Sequence, residues 1–221
     1  KLKEAYKSMG KEDLLIDEVI TLLFAGQDTS AATLSWISYL LGKNPKYQDI
    51  IHKELISSTD NNSSDMLECV VKESMRLYPV APFVVRNIVE DIIIPVDSSL
   101  DENSCKEKDG GSFTLSKGTL ACIWIYGLHR NPEFWNEGEK FLPERWIEKK
   151  DRGINEKAYL PFASGGRNCV GQNLGRFVVR EVLRELVLGY EWICEEEGEK
   201  EMEVGFTVLP VGGDYLKMKK R

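Results

Sequence analysis

Phe162-Ala163-Ser164-Gly165-Gly166-Arg167-Asn168-Cys169-Val170-Gly171 is the stretch on which the reading of this 221-residue chain turns. A single cysteine stands where a glycine-rich loop enters a helical pattern running from Val170 to Leu188 and closed by Gly189. At a helix start, unpaired N–H groups and the helix dipole favour an anion, so a thiolate is stabilised there. Gly165 and Gly166 permit tight turns and close approach to a flat ligand. Arg167 adds a cation two residues before the sulfur. Taken alone, a lone cysteine after a loop also reads as a passive buried thiol. A phosphate loop is excluded, because no Lys-Ser or Lys-Thr follows the glycines.

The decapeptide resembles the haem-binding signature of the cytochrome P450 family, Phe-x-x-Gly-x-Arg-x-Cys-x-Gly. Phe162, Gly165, Arg167, Cys169 and Gly171 occupy its fixed positions. The resemblance implies that Cys169 is the axial thiolate of the iron of haem b. It implies that Phe162 shields the sulfur, that Arg167 pairs with a haem propionate and that Gly171 lets the next helix lie close to the porphyrin.

Two further motifs stand upstream. Glu73-Ser74-Met75-Arg76 places an acid and a base on one helix face by its i, i+3 spacing. Read alone, such a pair is an ordinary surface ion pair. In the family it is buried and meets an arginine from a Pro-Glu-Arg segment, which Pro143-Glu144-Arg145 supplies here. Trp146 follows where the family usually has Phe. The resemblance gives Glu73, Arg76 and Arg145 a structural role, locking the irregular stretch that presents Cys169.

The third motif is Ala25-Gly26-Gln27-Asp28-Thr29-Ser30, inside a long apolar run from Leu14 to Leu41. A helix interior normally avoids glycine and an unpaired buried acid. Both together point to function, although a polar patch bonding backbone carbonyls fits the same residues. The resemblance makes this the oxygen-activation helix. Ala25 and Gly26 would then open room over the haem, while Asp28 and Thr29 relay protons to dioxygen. Arg86, beyond the bend Pro79-Val80-Ala81-Pro82, matches a second propionate contact, or is an exposed strand charge. Val80 to Phe83 and Phe206 to Leu209 would border a substrate pocket. His129 is expected to pack near the Cys loop without catalysing.

The rest of the chain supplies the frame. Asn44-Pro45 signals a helix to about Ile56, with Asn44 as N-cap. Asp65 opens another, with Glu68 as capping-box partner and Pro79 as its stop. Residues 82–94 and 113–126 read as strands, the second set turning at Lys117-Gly118. Asn131-Pro132 predicts a short helix, and 137–168 an irregular, functional stretch. The tail predicts small antiparallel strands with a turn at Val211-Gly212-Gly213. The segment from Asp97 to Gly111 reads as an insertion, and Asn61 and Asn62 begin overlapping sequons in a polar loop.

The balance of 29 basic against 36 acidic residues argues against a nucleic-acid partner. Five cysteines over this length suggest a reducing compartment rather than a disulfide framework, and Cys69, Cys105, Cys122 and Cys194 fit no metal spacing. The expected fold class is mainly α with small β-sheets. Residues 1–221 are expected to be the C-terminal, haem-binding part of one domain whose N-terminal half is absent. The resemblance implies a monooxygenase acting on an apolar, lipid-like substrate, with a fatty acid as one candidate. It takes O2 and draws electrons from an NADPH-dependent reductase or a ferredoxin. The full-length parent is expected at the cytosolic face of the endoplasmic reticulum membrane, held by an anchor. Two alternatives stay open: a truncated fragment without catalysis, and a haem-thiolate isomerase or dehydratase. The Asp28–Thr29 pair favours the monooxygenase.

Overall fold

The computed structural model describes residues 2–57, 64–95, 112–147, 156–195, 200–205, 207–212 and 216–221. The expected insertion, the sequon asparagines Asn61 and Asn62, Cys105 and Phe206 lie outside them. The chain forms two compact units, Lys1–Pro82 with Ile125–Arg221, and Phe83–Trp124. The predicted class, mainly helical with small antiparallel sheets, is the one observed.

The first unit carries six helices among the described residues: α1 (Leu2–Ser8), α2 (Leu14–Lys43), α3 (Pro45–Ser57), α4 (Asp65–Leu77), the single turn α5 (Ile125–Leu128) and α6 (Gln172–Gly189). Apolar positions of α2, α3, α4 and α6 converge on one core, with Ile37, Ile51, Val70 and Leu183 wholly buried in it. Trp135, Trp146 and Trp192 seal its edges. A second cluster joins Trp36, Leu40 and Leu77 to Val208. There Trp36 and Tyr78 stack in parallel, ring centres 3.8 Å apart.

α3 begins at Pro45, which leaves Asn44 at the expected N-cap position, its carbonyl accepting the Tyr47 N–H at 3.1 Å. The Asn44 side chain also donates to the Leu40 carbonyl, closing α2. α4 begins at Asp65 as expected, and the hydroxyl of its N-cap, Ser64, accepts from the Leu67 N–H at 3.0 Å. The carboxylate completing that cap is not Glu68 but Glu54 of α3, which accepts from the Ser64 hydroxyl and the Met66 N–H. Asn131-Pro132 starts a turn and no helix. Asn131 Oδ1 accepts the Glu133 N–H, satisfying it locally, and the only helical turn nearby is α5.

All sheets among the described residues are two-stranded and antiparallel. In the first unit β5 (Tyr190–Cys194) pairs with β8 (Leu216–Lys220), and β6 (Met202–Val204) with β7 (Val208–Pro210). The predicted turn at Val211-Gly212-Gly213 lies just after β7, with Gly212 at φ +79° and Gly213 outside the described residues. In the second unit β1 (Val84–Asn87) pairs with β4 (Leu120–Ile123), and β2 (Ile92–Pro95) with β3 (Ser112–Leu115). The turn at Lys117-Gly118 does not close a β3–β4 hairpin. Gly118, at φ +87°, instead donates its N–H to Ile88 at 2.7 Å, between the two ladders.

Candidate functional site

Glu73 is fully buried on α4, with Arg76 one turn on and equally buried. Its Oε1 accepts from Arg76 Nη2 at 2.9 Å, Arg145 Nε at 2.9 Å and the Leu142 N–H at 3.0 Å. Its Oε2 accepts from Arg76 Nε and from the Trp146 indole N–H, each at 2.9 Å. A 3-10 turn at Pro143–Trp146 delivers both Arg145 and Trp146. The two guanidinium groups spend their other N–H groups on main-chain carbonyls. Arg76 donates to those of His129, Gly138 and Lys140. Arg145 donates to those of Asn136 and Glu137. A segment without regular ladders must satisfy its buried carbonyls somehow, and here two arginines do it. The structure thus brings Glu73, Arg76 and Arg145 together from sequence positions 72 residues apart.

His129 ties this network to the Cys loop. The Leu160 N–H donates to His129 Nε2 at 2.8 Å, so that nitrogen is unprotonated. The proton therefore sits on Nδ1, which donates to the Arg76 carbonyl at 3.0 Å. Burial, with the Arg76 and Arg130 charges adding to it, pushes the imidazole down to about 4, so it is neutral at pH 7. Tyr159 stacks on the ring and donates its hydroxyl to the Lys72 carbonyl at 3.1 Å, and burial pushes that phenol up. The chain thus enters the loop from a fixed point.

The loop closes on itself. The Cys169 N–H donates to the Phe162 carbonyl at 3.0 Å, and the Ala163 N–H to that of Leu160 at 3.1 Å. Gly165 sits at φ +79°, where a Cβ would be strained, and Gly166 faces open space. Arg167 and Cys169 are exposed, and Val170 is 91% exposed. Gly171 precedes α6 as its N-cap. A Cβ there would lie 3.9 Å from the cysteine sulfur. Phe162 is half-buried, with the Arg176 guanidinium over its ring.

These features fit a haem. No group of three or more His, Cys, Asp or Glu able to hold a metal occurs among the described residues. An exposed thiol on a glycine-bearing loop is a donor of the kind that holds haem iron. Val170, Leu174 and Phe177 add exposed apolar surface next to it in sequence.

On α2, Ala25 and Gly26 are exposed, and a Cβ on Gly26 would meet nothing within 4 Å. Thr29 donates its hydroxyl to the Ala25 carbonyl at 2.7 Å. Asp28 accepts from the Thr207 hydroxyl at 2.8 Å. That partner was not legible: no local pattern encodes a contact 179 residues away. The Trp146 bond to Glu73 was equally hidden, its only signal being an aromatic with a polar N–H beside a motif arginine. Arg86 belongs to the second unit, exposed on β1, with its guanidinium donating to the neighbouring Val85 carbonyl. Among the described residues no helix is long and apolar enough to cross a membrane.

Known proteins resemble this chain over nearly its whole length. Cytochrome P450 4V2 of Rattus norvegicus is 32% identical over 99% of this chain and 40% of its own length. Cytochrome P450 4c3 of Drosophila melanogaster is 32% identical over 99% of this chain and 44% of its own. The (S)-canadine synthase CYP719A21 of Papaver somniferum is 29% identical over 93% of this chain and 39% of its own. The chain spans about two fifths of the length of such relatives. The sequence model described as Cytochrome P450 matches residues 2–218, taking in the Cys loop, the buried Glu73 network and the α2 motif alike, and the chain belongs to that family.

Proposed function

We propose that this chain is the C-terminal, haem-binding part of a monooxygenase. The full protein would insert one atom of O2 into a C–H bond of an apolar substrate. The other atom would leave as water, using two protons and two electrons from an NADPH-dependent reductase or a ferredoxin. Bound haem b would supply the redox chemistry that activates O2. Cys169 would hold its iron as a thiolate, Phe162 would screen the sulfur from solvent, and Arg167 would pair with a propionate. Gly165, Gly166 and Gly171 would keep the backbone low enough for a flat ligand. Asp28 and Thr29 would carry protons on the α2 side, and Val80 to Phe83 with Thr207 to Leu209 would border the substrate. A fatty acid or similar lipid is the substrate class we favour, on the resemblance noted from the sequence. An anchor at the cytosolic face of the endoplasmic reticulum would belong to the full-length protein.

The observation that carries this reading is the exposed Cys169 thiol on a loop closed by the Phe162–Cys169 backbone bond. The reduced, carbon-monoxide-bound absorption spectrum tests it. A red-shifted Soret band, lost in Cys169→Ala, is expected; a band that survives that substitution would overturn the thiolate assignment.

A second reading has its own support. Ile16, Ile20, Leu23 and Phe24 on the first half of α2 are each more than half exposed. The chain on its own would then bind haem poorly and catalyse nothing, needing the length its relatives have in addition. A thiolate spectrum from a longer protein, absent from this chain, would decide for it.

A further inference from the structure

Thr207 stands just before β7, only 5% of it is exposed, and its hydroxyl donates to Asp28 Oδ2 at 2.8 Å. Its surroundings are anchored at three points. The Gly205 N–H donates to the Thr207 carbonyl at 3.1 Å. The Val208 N–H donates to the Val80 carbonyl at 3.1 Å. The Trp36 indole donates to the Val208 carbonyl at 2.8 Å. Trp36 is fully buried and stands on α2, the helix that carries Asp28, roughly 12 Å along its axis. Thr207 is therefore placed relative to Asp28 by a rigid frame rather than by a free loop.

The neighbouring hydroxyl is arranged differently. Thr29 spends its one proton on the Ala25 carbonyl, so toward any further partner it can only accept. While that bond is made, Asp28 is the motif residue able to give up or take on a proton, and the rotamer of its carboxyl matters. A hydrogen bond to Oδ2 selects one rotamer and leaves Oδ1 to exchange protons.

We infer that Thr207 is a positioning residue for Asp28, orienting its carboxyl for proton delivery; this rests on the relay proposed above. The test uses the full-length, haem-loaded protein with its reductase and compares Thr207→Val, Thr207→Ser and Asp28→Asn. Product formed per NADPH oxidised, hydrogen peroxide released and the solvent deuterium isotope effect are measured, alongside haem content and the Soret band. Thr207→Val is expected to lower product per NADPH by roughly tenfold, the scale of one lost orienting hydrogen bond. Peroxide release and the isotope effect rise, haem content and Soret band stay unchanged, and Thr207→Ser restores the wild-type values. Should Thr207→Val lose its haem, Thr207→Ala takes its place against Thr207→Ser.

A second readout needs no turnover. The melting-temperature losses of Thr207→Val and Asp28→Ala are expected to be non-additive, because both remove one bond. Losses that simply add overturn the inference. So does wild-type coupling in Thr207→Val when Asp28→Asn is uncoupled. Wild-type coupling in Asp28→Asn would instead sink the relay on which the inference rests.

Discussion

Glu73 carries one negative charge against two guanidinium groups, all three nearly or wholly out of water. Such a cluster is tolerable only because main-chain carbonyls take up the remaining N–H groups. Removing the acid leaves two buried cations facing each other. Glu73→Ala is therefore expected to cost about 3–5 kcal/mol and to prevent haem incorporation in the full-length protein. Normal haem content in that variant would contradict the role given to this network. Trp146 offers a finer probe, because it contributes both a ring and a donor. The ring packs 4.7 Å from Tyr159 and 5.8 Å from Trp135, centre to centre. Trp146→Phe keeps most of that packing and removes only the N–H on Oε2. It should lower stability by about 1.5–3 kcal/mol, the worth of a hydrogen bond to a charged group. Denaturant unfolding reads this as a lower midpoint at unchanged slope. An unchanged midpoint would mean that Oε2 is satisfied without the indole.

At the scale of elements, His129 joins α4 to the segment that leads into the Cys loop. Its folded pKa, about 4, lies below the ordinary histidine value of about 6.5. Between those values the unfolded chain binds more protons than the folded one, so stability falls as pH drops through that window. The contribution is fully present above about pH 6.5, and its loss reaches about 3 kcal/mol by pH 4. Protonating Nε2 also removes the acceptor of the Leu160 N–H. Urea unfolding from pH 7 to 4 should show this slope, and His129→Asn should flatten it; an equal slope in the variant would assign it elsewhere. Elements also mark how far the sequence could be read. The long periodic runs were legible to within two residues: α2 was expected over 14–41 and α6 over 170–188, against Leu14–Lys43 and Gln172–Gly189. Their ends follow local chemistry. The start of α4 at Asp65 was read, but not Glu54, which completes its cap from another helix in place of Glu68. The sheets were legible as strands but not as pairs, since register depends on distant backbone partners. Within the candidate site the motif residues could be read, as could His129 as a packing residue near the Cys loop; the partners that fix them, Leu160 for His129 and Thr207 for Asp28, could not.

For the whole molecule the decisive feature is the contrast between the two halves of α2. Its second half, from Ala32 to Leu41, is largely buried. Its first half is not: Ile16 is 66% exposed, Ile20 58% and Leu23 65%. Contiguous apolar surface of this kind marks either an interface or an aggregation liability. The relatives are more than twice as long as this chain, which leaves ample length to cover the face. Ile20 and Leu23 stand three residues apart and so share one side of the helix. The double substitution Ile20→Lys, Leu23→Lys therefore separates the two possibilities by sign. In the isolated chain it should reduce self-association and dye binding, because exposed apolar area is replaced by charge. In a full-length protein the same change should be destabilising, because two cations are forced into a face that has become core. Sedimentation and an apolar fluorescent dye report the first effect, and thermal unfolding the second. Stability unchanged in the full-length protein would show that the face stays exposed there, and the second reading of this chain's function would lose its support.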